Sequence, residues 1–320
     1  MKSPLLALPG AVPAEGADEG VAAHYGDIFR EQRNLSRGTG FVDLSHRGVL
    51  TVTGADRLAW LHLLLTQHVS GLEPQHATEA LVLSPNGHVE HALYLVDDGT
   101  TTWAHVEPGT QEALIGYLES MKFLYQVEVV DATADYAVVH LPAGSTGSVE
   151  GAAAVRELPY GRDLFVPRAE LAERTAGYGP AAGVWAYEAL RIEGHRPRLG
   201  FETDHRTIPH EVDWLRTAVH LQKGCYRGQE TVARVHNLGR PPRRLVFLHL
   251  DGTEETLPPH GTEVRLASDP DGRALGLVTS SARHHELGPI ALAVVKRNVP
   301  VDAVLLAGTV PGTQDVIVPQ

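Results

Sequence analysis

The chain has 320 residues, a formal net charge of −12 at pH 7, 43% hydrophobic residues and 21% charged residues. This composition is typical of a globular protein with two or three domains and excludes a disordered or fibrous chain. No run approaches the ~20 apolar residues that span a bilayer, and the acidic balance argues against coating nucleic acid through bulk electrostatics.

The first predicted domain covers residues 24–134, after an arm of residues 1–23 that lacks periodicity and is predicted to be flexible. A strand is predicted at 48–53, and Asp56 opens a helical pattern with an apolar face. Turns at Pro85-Asn86-Gly87 and Asp97-Asp98-Gly99 separate predicted strands at 80–83, 89–96 and 101–106. A helix capped by Thr110 and a strand at 125–130 complete an α+β domain with an antiparallel sheet.

The second predicted domain, also α+β, covers residues 135–240, with a strand at 136–141 and a helix from about Pro180 to Arg191 that Gly194 ends. Pro241-Pro242 marks the next boundary. Short apolar segments then alternate with Gly and Pro turns, which predicts a small β-barrel or sandwich over residues 241–320. These segments are 245–250, 263–267, 275–281, 290–295 and 302–306.

The only cysteine, Cys225, lies in the segment Lys223-Gly224-Cys225-Tyr226-Arg227-Gly228-Gln229-Glu230. A cysteine reacts as the thiolate, which nearby cations stabilise, so Lys223 and Arg227 favour a reactive thiol. Gly224 and Gly228 allow close approach of the backbone to a ligand, and Gln229 and Glu230 add an amide and a carboxylate. The alternative is that Cys225 is a small buried hydrophobic residue.

Residues 220–245 carry six cations, Lys223, Arg227, Arg234, Arg240, Arg243 and Arg244, and one acid, Glu230, which gives a local charge of +5. This pattern is consistent with a solvated basic surface. It is also consistent with a site for an anion, such as the glutamate tail of a folate or the phosphates of RNA, over residues 223–244.

The Cys225 segment matches the motif K-G-C-Y-x-G-Q-E and resembles the YgfZ-type folate-binding proteins, which are relatives of the glycine-cleavage T-protein, an aminomethyltransferase. The resemblance continues through Thr231-Val232-Ala233-Arg234, residues 42–48, 52–58 and 190–194, and covers roughly residues 24–320. It implies a three-domain ring with a central opening in which tetrahydrofolate, or a one-carbon derivative, binds.

The resemblance also implies a site. Glu193 resembles the T-protein glutamate that hydrogen-bonds the pterin, a role that suits a carboxylate because it can accept two N–H bonds at once. Without the resemblance, Glu193 would be a surface acid at a helix end. Cys225 and Lys223 are the predicted catalytic residues. The predicted folate contacts, besides Glu193, are His91, Gly224, Tyr226, Arg227, Gly228, Gln229 and Glu230.

One departure from the T-protein is important. Its catalytic aspartate lies in a G-G-I-x-D-D pattern, and here the two Asp positions hold His91 and Ala92. Glu90 is adjacent, but on a strand it would point to the opposite face from its neighbours. Aminomethyl transfer is therefore in doubt.

Eighteen histidines raise the question of a metal. The closest groupings are His88 with His91, His205 with His210, and His284 with His285. None has the spacing of zinc ligands, so we predict no dedicated metal site. The motifs that cradle nucleotide phosphates are also missing from the sequence.

We therefore expect a tetrahydrofolate-binding protein that assists iron-sulfur cluster assembly or repair and, indirectly, tRNA modification. Expected partners are folate and iron-sulfur proteins or assembly factors. A single Cys excludes an internal disulfide framework, which fits the cytoplasm. Two alternatives stay open: a folate-dependent aminomethyltransferase or demethylase, and a non-catalytic module that binds RNA or a protein. Whether the protein is an enzyme is not decided by the sequence.

Overall fold

The computed structural model describes residues 1–253 and 256–319, and the chain divides into two compact units. The first unit comprises residues 1–81 and 91–187, and the second comprises 82–90 and 188–320. The predicted domain boundaries at 134 and 240 do not coincide with this division and stay a prediction. Among the helices of the described residues, none is both long and apolar enough to cross a membrane.

The helices of the described residues are α1 Ile28–Ser36, α2 Arg57–Leu64, α3 Gln111–Ser120, α4 Leu171–Thr175, α5 Val184–Glu193, α6 Trp214–Thr217 and α7 Gln229–Leu238. Short 3-10 helices lie at Pro4–Ala7, Gly16–Asp18, Arg168–Glu170 and Pro209–Val212. The strands up to residue 182 are β1 Val12–Pro13, β2 Ala22–His24, β3 Phe41–Asp43, β4 Gly48–Thr53, β5 Ala77–Leu83, β6 Val89–Asp97, β7 Thr101–Val106, β8 Glu128–Asp131, β9 Tyr136–Pro142, β10 Ala154–Leu158, β11 Gly161–Pro167 and β12 Ala181–Ala182. The later strands are β13 Arg243–Leu250, β14 Glu263–Leu266, β15 Gly276–His284, β16 Gly288–Lys296, β17 Leu305–Ala307 and β18 Val310–Val316.

One sheet has the strand order β5-β6-β7-β4-β8. The strands predicted at 48–53 and 101–106 are confirmed, and Asp56 is the N-cap of α2 as the sequence predicts. The strand expected from Tyr125 starts only at Glu128. The chain before it turns instead: the Tyr125 amide donates to Lys122 O at 2.9 Å and the Val127 amide donates to Tyr125 O at 3.0 Å, so these residues do not form an extended strand.

A second sheet, in the first unit, has the order β10-β11-β9-β3-β12. Its pairs are antiparallel except β3 with β12, where Phe41 lies opposite Ala181 in parallel register. This pairing explains why the helix predicted from Pro180 begins at Val184, since residues 181–182 are used by the sheet. Apolar residues of the strands, of α4 and of the 3-10 helix Pro4–Ala7 form its core, which includes Leu5, Phe41, Val139, Leu164, Val166 and Leu171.

The second unit contains a closed barrel of order β13-β16-β15-β14-β17-β18. Alternate residues of β13, Val246, Leu248 and Leu250, pack into its core with Val278 and Ala293, as the two-residue period of a strand requires. The predicted α+β class, with antiparallel sheets and a C-terminal β-barrel, is confirmed. The sequence analysis missed β18, whose Pro311 and Gly312 conceal the strand pattern.

Residues 1–23, predicted to be a flexible arm, are instead packed as part of the first unit. Leu5 is 2% exposed and belongs to the core. Ser3 Oγ donates a hydrogen bond to Asp43 Oδ2 at 2.5 Å, and β1 pairs with β2. The low periodicity of this segment misled the prediction, because a few buried side chains and one buried hydrogen bond suffice to fix it.

A buried ionic centre lies in the first unit around Asp163. Its carboxylate accepts hydrogen bonds from His105 Nε2 at 3.1 Å, His140 Nδ1 at 2.8 Å and Arg156 Nη1 at 3.0 Å. Burial alone would raise the pKa of Asp163, but the two histidines hold it well below its usual value. Burial also lowers the pKa of His105 to about 4. At neutral pH this centre is thus a carboxylate held by one guanidinium and two hydrogen-bond donors.

Candidate functional site

The Cys225 segment connects α6 with α7 in the second unit. Gly228 is the N-cap of α7 and adopts φ +82°, a conformation that favours glycine. Gln229 and Glu230, predicted as loop residues, therefore form the first helical turn. Only residues 223–228 of the motif are loop.

Within this loop, two exposed residues lie between two buried ones. Gly224 and Cys225 are exposed, whereas Lys223 and Tyr226 are 5% and 8% exposed. Lys223 Nζ lies 5.1 Å from the centre of the Tyr226 ring, a cation–π contact. The alternative of a buried hydrophobic Cys225 is thereby wrong: the thiol faces solvent on a tip held at both ends by buried side chains.

Burial lowers the pKa of the Lys223 ammonium to about 8 and raises that of the Tyr226 phenol to about 12. A lysine with this pKa holds a substantial fraction of neutral amine slightly above pH 7. A neutral amine can act as a base or nucleophile, and the catalytic role of Lys223 stays a prediction. Its contact with Tyr226 also gives Lys223 a structural role in fixing the loop.

The tip of the β5–β6 hairpin docks on this loop inside the second unit. A Cβ on Gly228 would lie 2.6 Å from the carbonyl oxygen of Ser84, and a Cβ on Gly87 would lie 2.7 Å from Cβ of Thr231. The Val89 amide donates to Thr207 O at 2.8 Å. Gly228 therefore permits backbone packing against the hairpin. Gly224 differs, since among the described residues nothing lies within 4 Å of its Cβ position.

The cations of residues 220–245 do not form a uniform basic surface. Arg227 donates to Glu90 Oε2 at 3.0 Å, and Arg243 contacts Asp204 at 2.6 Å and Glu211 at 2.8 Å. Arg244 is buried and donates to Val299 O and Gln314 Oε1. These contacts disfavour the RNA hypothesis, because Arg227, Arg243 and Arg244 are paired within the fold.

Glu193 ends α5, and its side chain is 46% exposed. Its Oε2 lies 3.4 Å from Nε2 of His284, the last residue of β15. The preceding turn of α5 is fixed by Arg191, which is buried and bonded to Glu188 and Glu202. The helix end is thus rigid, and part of the carboxylate remains open to a ligand.

His91 lies on β6 in the first unit, half-buried, with its ring 6.5 Å from that of Tyr117. Ala92 beside it is 2% exposed. The other predicted site residues all lie in the second unit, on α5, the Cys225 loop and α7. Within residues 1–253 and 256–319, no group of three or more His, Cys, Asp or Glu could hold a metal ion.

Sequence reasoning missed two partners. Glu90 was set aside as a replacement for the missing aspartates, yet it binds Arg227 of the motif. His284 was noticed only as one half of a histidine pair. Neither partnership has a sequence signal, because each joins residues that are distant in the chain and meet only through the fold.

No family model matches the chain. Sequence relatives include a chloroplastic protein of Arabidopsis thaliana described as a transferase, 25% identical over 304 residues, which cover 82% of this chain and 66% of that protein. The mitochondrial iron-sulfur cluster assembly factor IBA57 homolog of Mycosarcoma maydis is 25% identical over 285 residues, 78% of this chain and 70% of the relative. The aminomethyltransferase of Streptomyces coelicolor is 26% identical over 325 residues, 89% of this chain and 86% of the relative.

The fold is similar to that of the glycine cleavage system aminomethyltransferase T from Bartonella henselae, with a TM-score of 0.80 over 98% of this chain and 94% of that one. The two are 17% identical, so this match concerns the fold. The chain is thus similar in sequence to an IBA57 homolog and to aminomethyltransferases, and similar in fold to a T-protein, in agreement with the resemblance that the Cys225 motif indicates.

Proposed function

We propose that this protein binds tetrahydrofolate, or a one-carbon derivative of it, with Glu193 accepting hydrogen bonds from the aminopyrimidine edge of the pterin. The observation that carries the proposal is the carboxylate at the end of α5, half-exposed and with Oε2 3.4 Å from Nε2 of the buried His284. A fixed carboxylate with open lone pairs fits a ligand edge that offers adjacent N–H groups. Bound tetrahydrofolate would supply a nitrogen that carries a one-carbon unit.

The thiol of Cys225 has a separate role in this proposal. It engages an iron-sulfur cluster as substrate during cluster assembly or repair, and tRNA modification depends on it indirectly through iron-sulfur enzymes. The exposed thiol, the open space at Gly224 and the rigid flanks of the loop support this role, as does the name of the IBA57 relative. A cytoplasmic location is part of the proposal, since a reducing compartment keeps the thiol free.

Calorimetric titration with tetrahydrofolate tests the binding step. We expect saturable binding to the wild type and a loss of roughly 10- to 100-fold in Glu193→Ala, the range expected when hydrogen bonds to a charged group are removed. Asp302→Ala removes an exposed acid of the same unit and serves as the control. Absence of binding to the wild type would refute the folate proposal.

The role of the thiol is tested in cells that lack the native chain. We expect Cys225→Ser to leave folate affinity unchanged but to fail to restore the activity of an iron-sulfur enzyme. If Cys225→Ser restores that activity as well as the wild type does, the thiol has no part in cluster assembly.

A second candidate is folate-dependent aminomethyl transfer, which the name of the Streptomyces coelicolor relative favours. The positions of the T-protein aspartates hold His91 and the buried Ala92, so a carboxylate at this place is missing. An assay of aminomethyl transfer to tetrahydrofolate decides between the candidates. Turnover by the wild type would favour transfer, and turnover at background level would favour the first proposal.

A further inference from the structure

The buried histidine His284 contacts the carboxylate of Glu193 within the second unit. Its side chain is 1% exposed, and Nε2 lies 3.4 Å from Glu193 Oε2. This contact does not meet the geometry of a hydrogen bond, and Nε2 has no hydrogen-bond partner among the residues that the structure describes. A buried polar atom of this kind requires a partner, and Glu193 is the acceptor that the fold provides.

The hydrogen bonds of the other ring nitrogen determine where the proton lies. His284 Nδ1 accepts from the backbone amides of Glu286 at 3.2 Å and Leu287 at 3.1 Å, in the turn between β15 and β16. An atom that accepts two N–H bonds carries no proton, so the neutral ring carries its proton on Nε2. This tautomer directs an N–H donor at Glu193.

Charged and titratable groups face the ring from two elements, namely Glu193 on α5 and His285 and Glu286 on the β15–β16 hairpin. Burial lowers the pKa of His284; Glu193 opposes this effect and His285, with its ring 4.5 Å away, adds to it. The ring is therefore neutral at pH 7. Protonation would place a hydrogen on Nδ1 opposite two backbone N–H groups and would disturb the turn.

We propose that His284 is a positioning residue for Glu193. His284 Nε2 fixes Oε2 on the buried side of the carboxylate, so that the exposed part of the carboxylate faces a ligand with adjacent N–H donors. This inference rests on the proposed function and deepens it. It also predicts selectivity, since a pterin without its 2-amino group offers one donor fewer to the fixed carboxylate and binds less tightly.

The contact between the two side chains is tested first without folate, by NMR of histidine labelled with 15N. His284 is expected to show an unprotonated Nδ1 and a protonated Nε2, with assignment from the signal that His284→Gln lacks. Glu193→Gln removes the negative charge beside the ring, so the titration midpoint of His284 falls. An unchanged midpoint, or a proton on Nδ1, would overturn the inference.

The second arm measures tetrahydrofolate affinity across pH. We expect His284→Phe to weaken binding by about tenfold, the scale on which loss of an orienting hydrogen-bond partner acts. His284→Gln keeps an N–H donor for Glu193 and should retain most of the affinity. Wild-type affinity should decline as pH falls through the His284 midpoint, whereas that of His284→Gln should not.

Melting temperatures, with His249→Gln as a control on a partly exposed barrel histidine, separate misfolding from loss of positioning. A folded His284→Phe variant that binds as tightly as the wild type would overturn the inference. If the wild type itself does not bind tetrahydrofolate, the proposed function fails, and the NMR arm still decides whether His284 holds Glu193.

Discussion

Lys223 has a different environment from the one that its position near Cys225 in the sequence suggests. Because Lys223 lies two positions before Cys225, the sequence predicts that its positive charge stabilises the thiolate. The structure buries it against Tyr226, and its pKa falls from 10.5 to about 8. Burying a charge is costly, so this lysine lowers the stability of the folded state wherever it is protonated.

The first prediction follows from that pKa. Between about pH 8 and 10.5 the unfolded chain keeps the Lys223 proton and the folded chain does not, so this residue makes stability rise with pH across that window. Lys223→Met should be more stable than the wild type at pH 7, by up to about 3 kcal/mol, and the difference should vanish near pH 10.5. Urea unfolding at both pH values measures it.

Lys122→Met, which removes a partly exposed lysine, is the control for the loss of an ammonium group. An equal difference between Lys223→Met and the wild type at pH 7 and pH 10.5 would contradict the assignment.

The two glycines of the motif give the second prediction. Gly228→Ala places a Cβ against the Ser84 carbonyl at positive φ and should destabilise by about 2 kcal/mol or more. Gly224→Ala meets nothing and should stay within about 0.5 kcal/mol of the wild type. Chemical denaturation compares them. Equal destabilisation of both variants would mean that the hairpin does not dock as described.

At the scale of elements, the central feature is the β5–β6 hairpin, whose tip packs against the start of α7. In Gly87→Ala the new methyl group would meet Thr231, so we predict that the Val89 amide loses the protection given by its bond to Thr207 O. Hydrogen exchange measures this amide directly.

Gly99→Ala is the matched control for this third prediction. Gly99 is also at positive φ, but its nearest neighbour would be 3.8 Å away. In the control, backbone strain should lower the stability of the protein, while the Val89 amide stays protected from hydrogen exchange. Loss of Val89 protection in both variants would point to general strain in the sheet and not to docking.

The same elements show what the sequence can and cannot predict. The turn at Pro85-Asn86-Gly87 and the strands around it follow from local residue preferences and were predicted correctly. The docking of that turn on Gly228, and of His284 on Glu193, depends on chain topology, which local patterns do not contain. Position 181 illustrates a third case, where pairing with Phe41 overrides a helical preference.

At the scale of the whole molecule, each unit contains a buried neutral histidine, His105 in the first and His210 in the second, and burial lowers both pKa values to about 4. Between pH 6.5 and 4 the unfolded chain binds these protons and the folded chain does not, so stability falls on acidification. Each contributes up to about 3 kcal/mol.

The fourth prediction is therefore a steep loss of stability between pH 6.5 and 4, measured by urea unfolding. His105→Gln should lose part of this dependence, even if it is less stable at pH 7, because a glutamine takes up no proton when the chain unfolds. An unchanged pH profile in His105→Gln would contradict this account of acid sensitivity.

The domain plan was predictable from the sequence only in part. The alternation of short apolar segments identified the barrel, and the Cys225 motif identified the relatives and hence the fold. The arm of residues 1–23 was missed because its packing depends on isolated contacts, such as Ser3 with Asp43. The set of site residues stays a prediction. Their arrangement could not be predicted from the sequence, because partners distant in the chain, such as Glu90 and His284, lie beside the charged groups.

The most direct test of the central claim is the dissociation constant of tetrahydrofolate, measured in parallel for the wild type, Glu193→Ala and Cys225→Ala. We predict that Glu193→Ala loses most of the affinity while Cys225→Ala keeps it, because the carboxylate binds the pterin and the thiol serves a separate step. Equal binding by wild type and Glu193→Ala, or no binding by the wild type, would contradict the account.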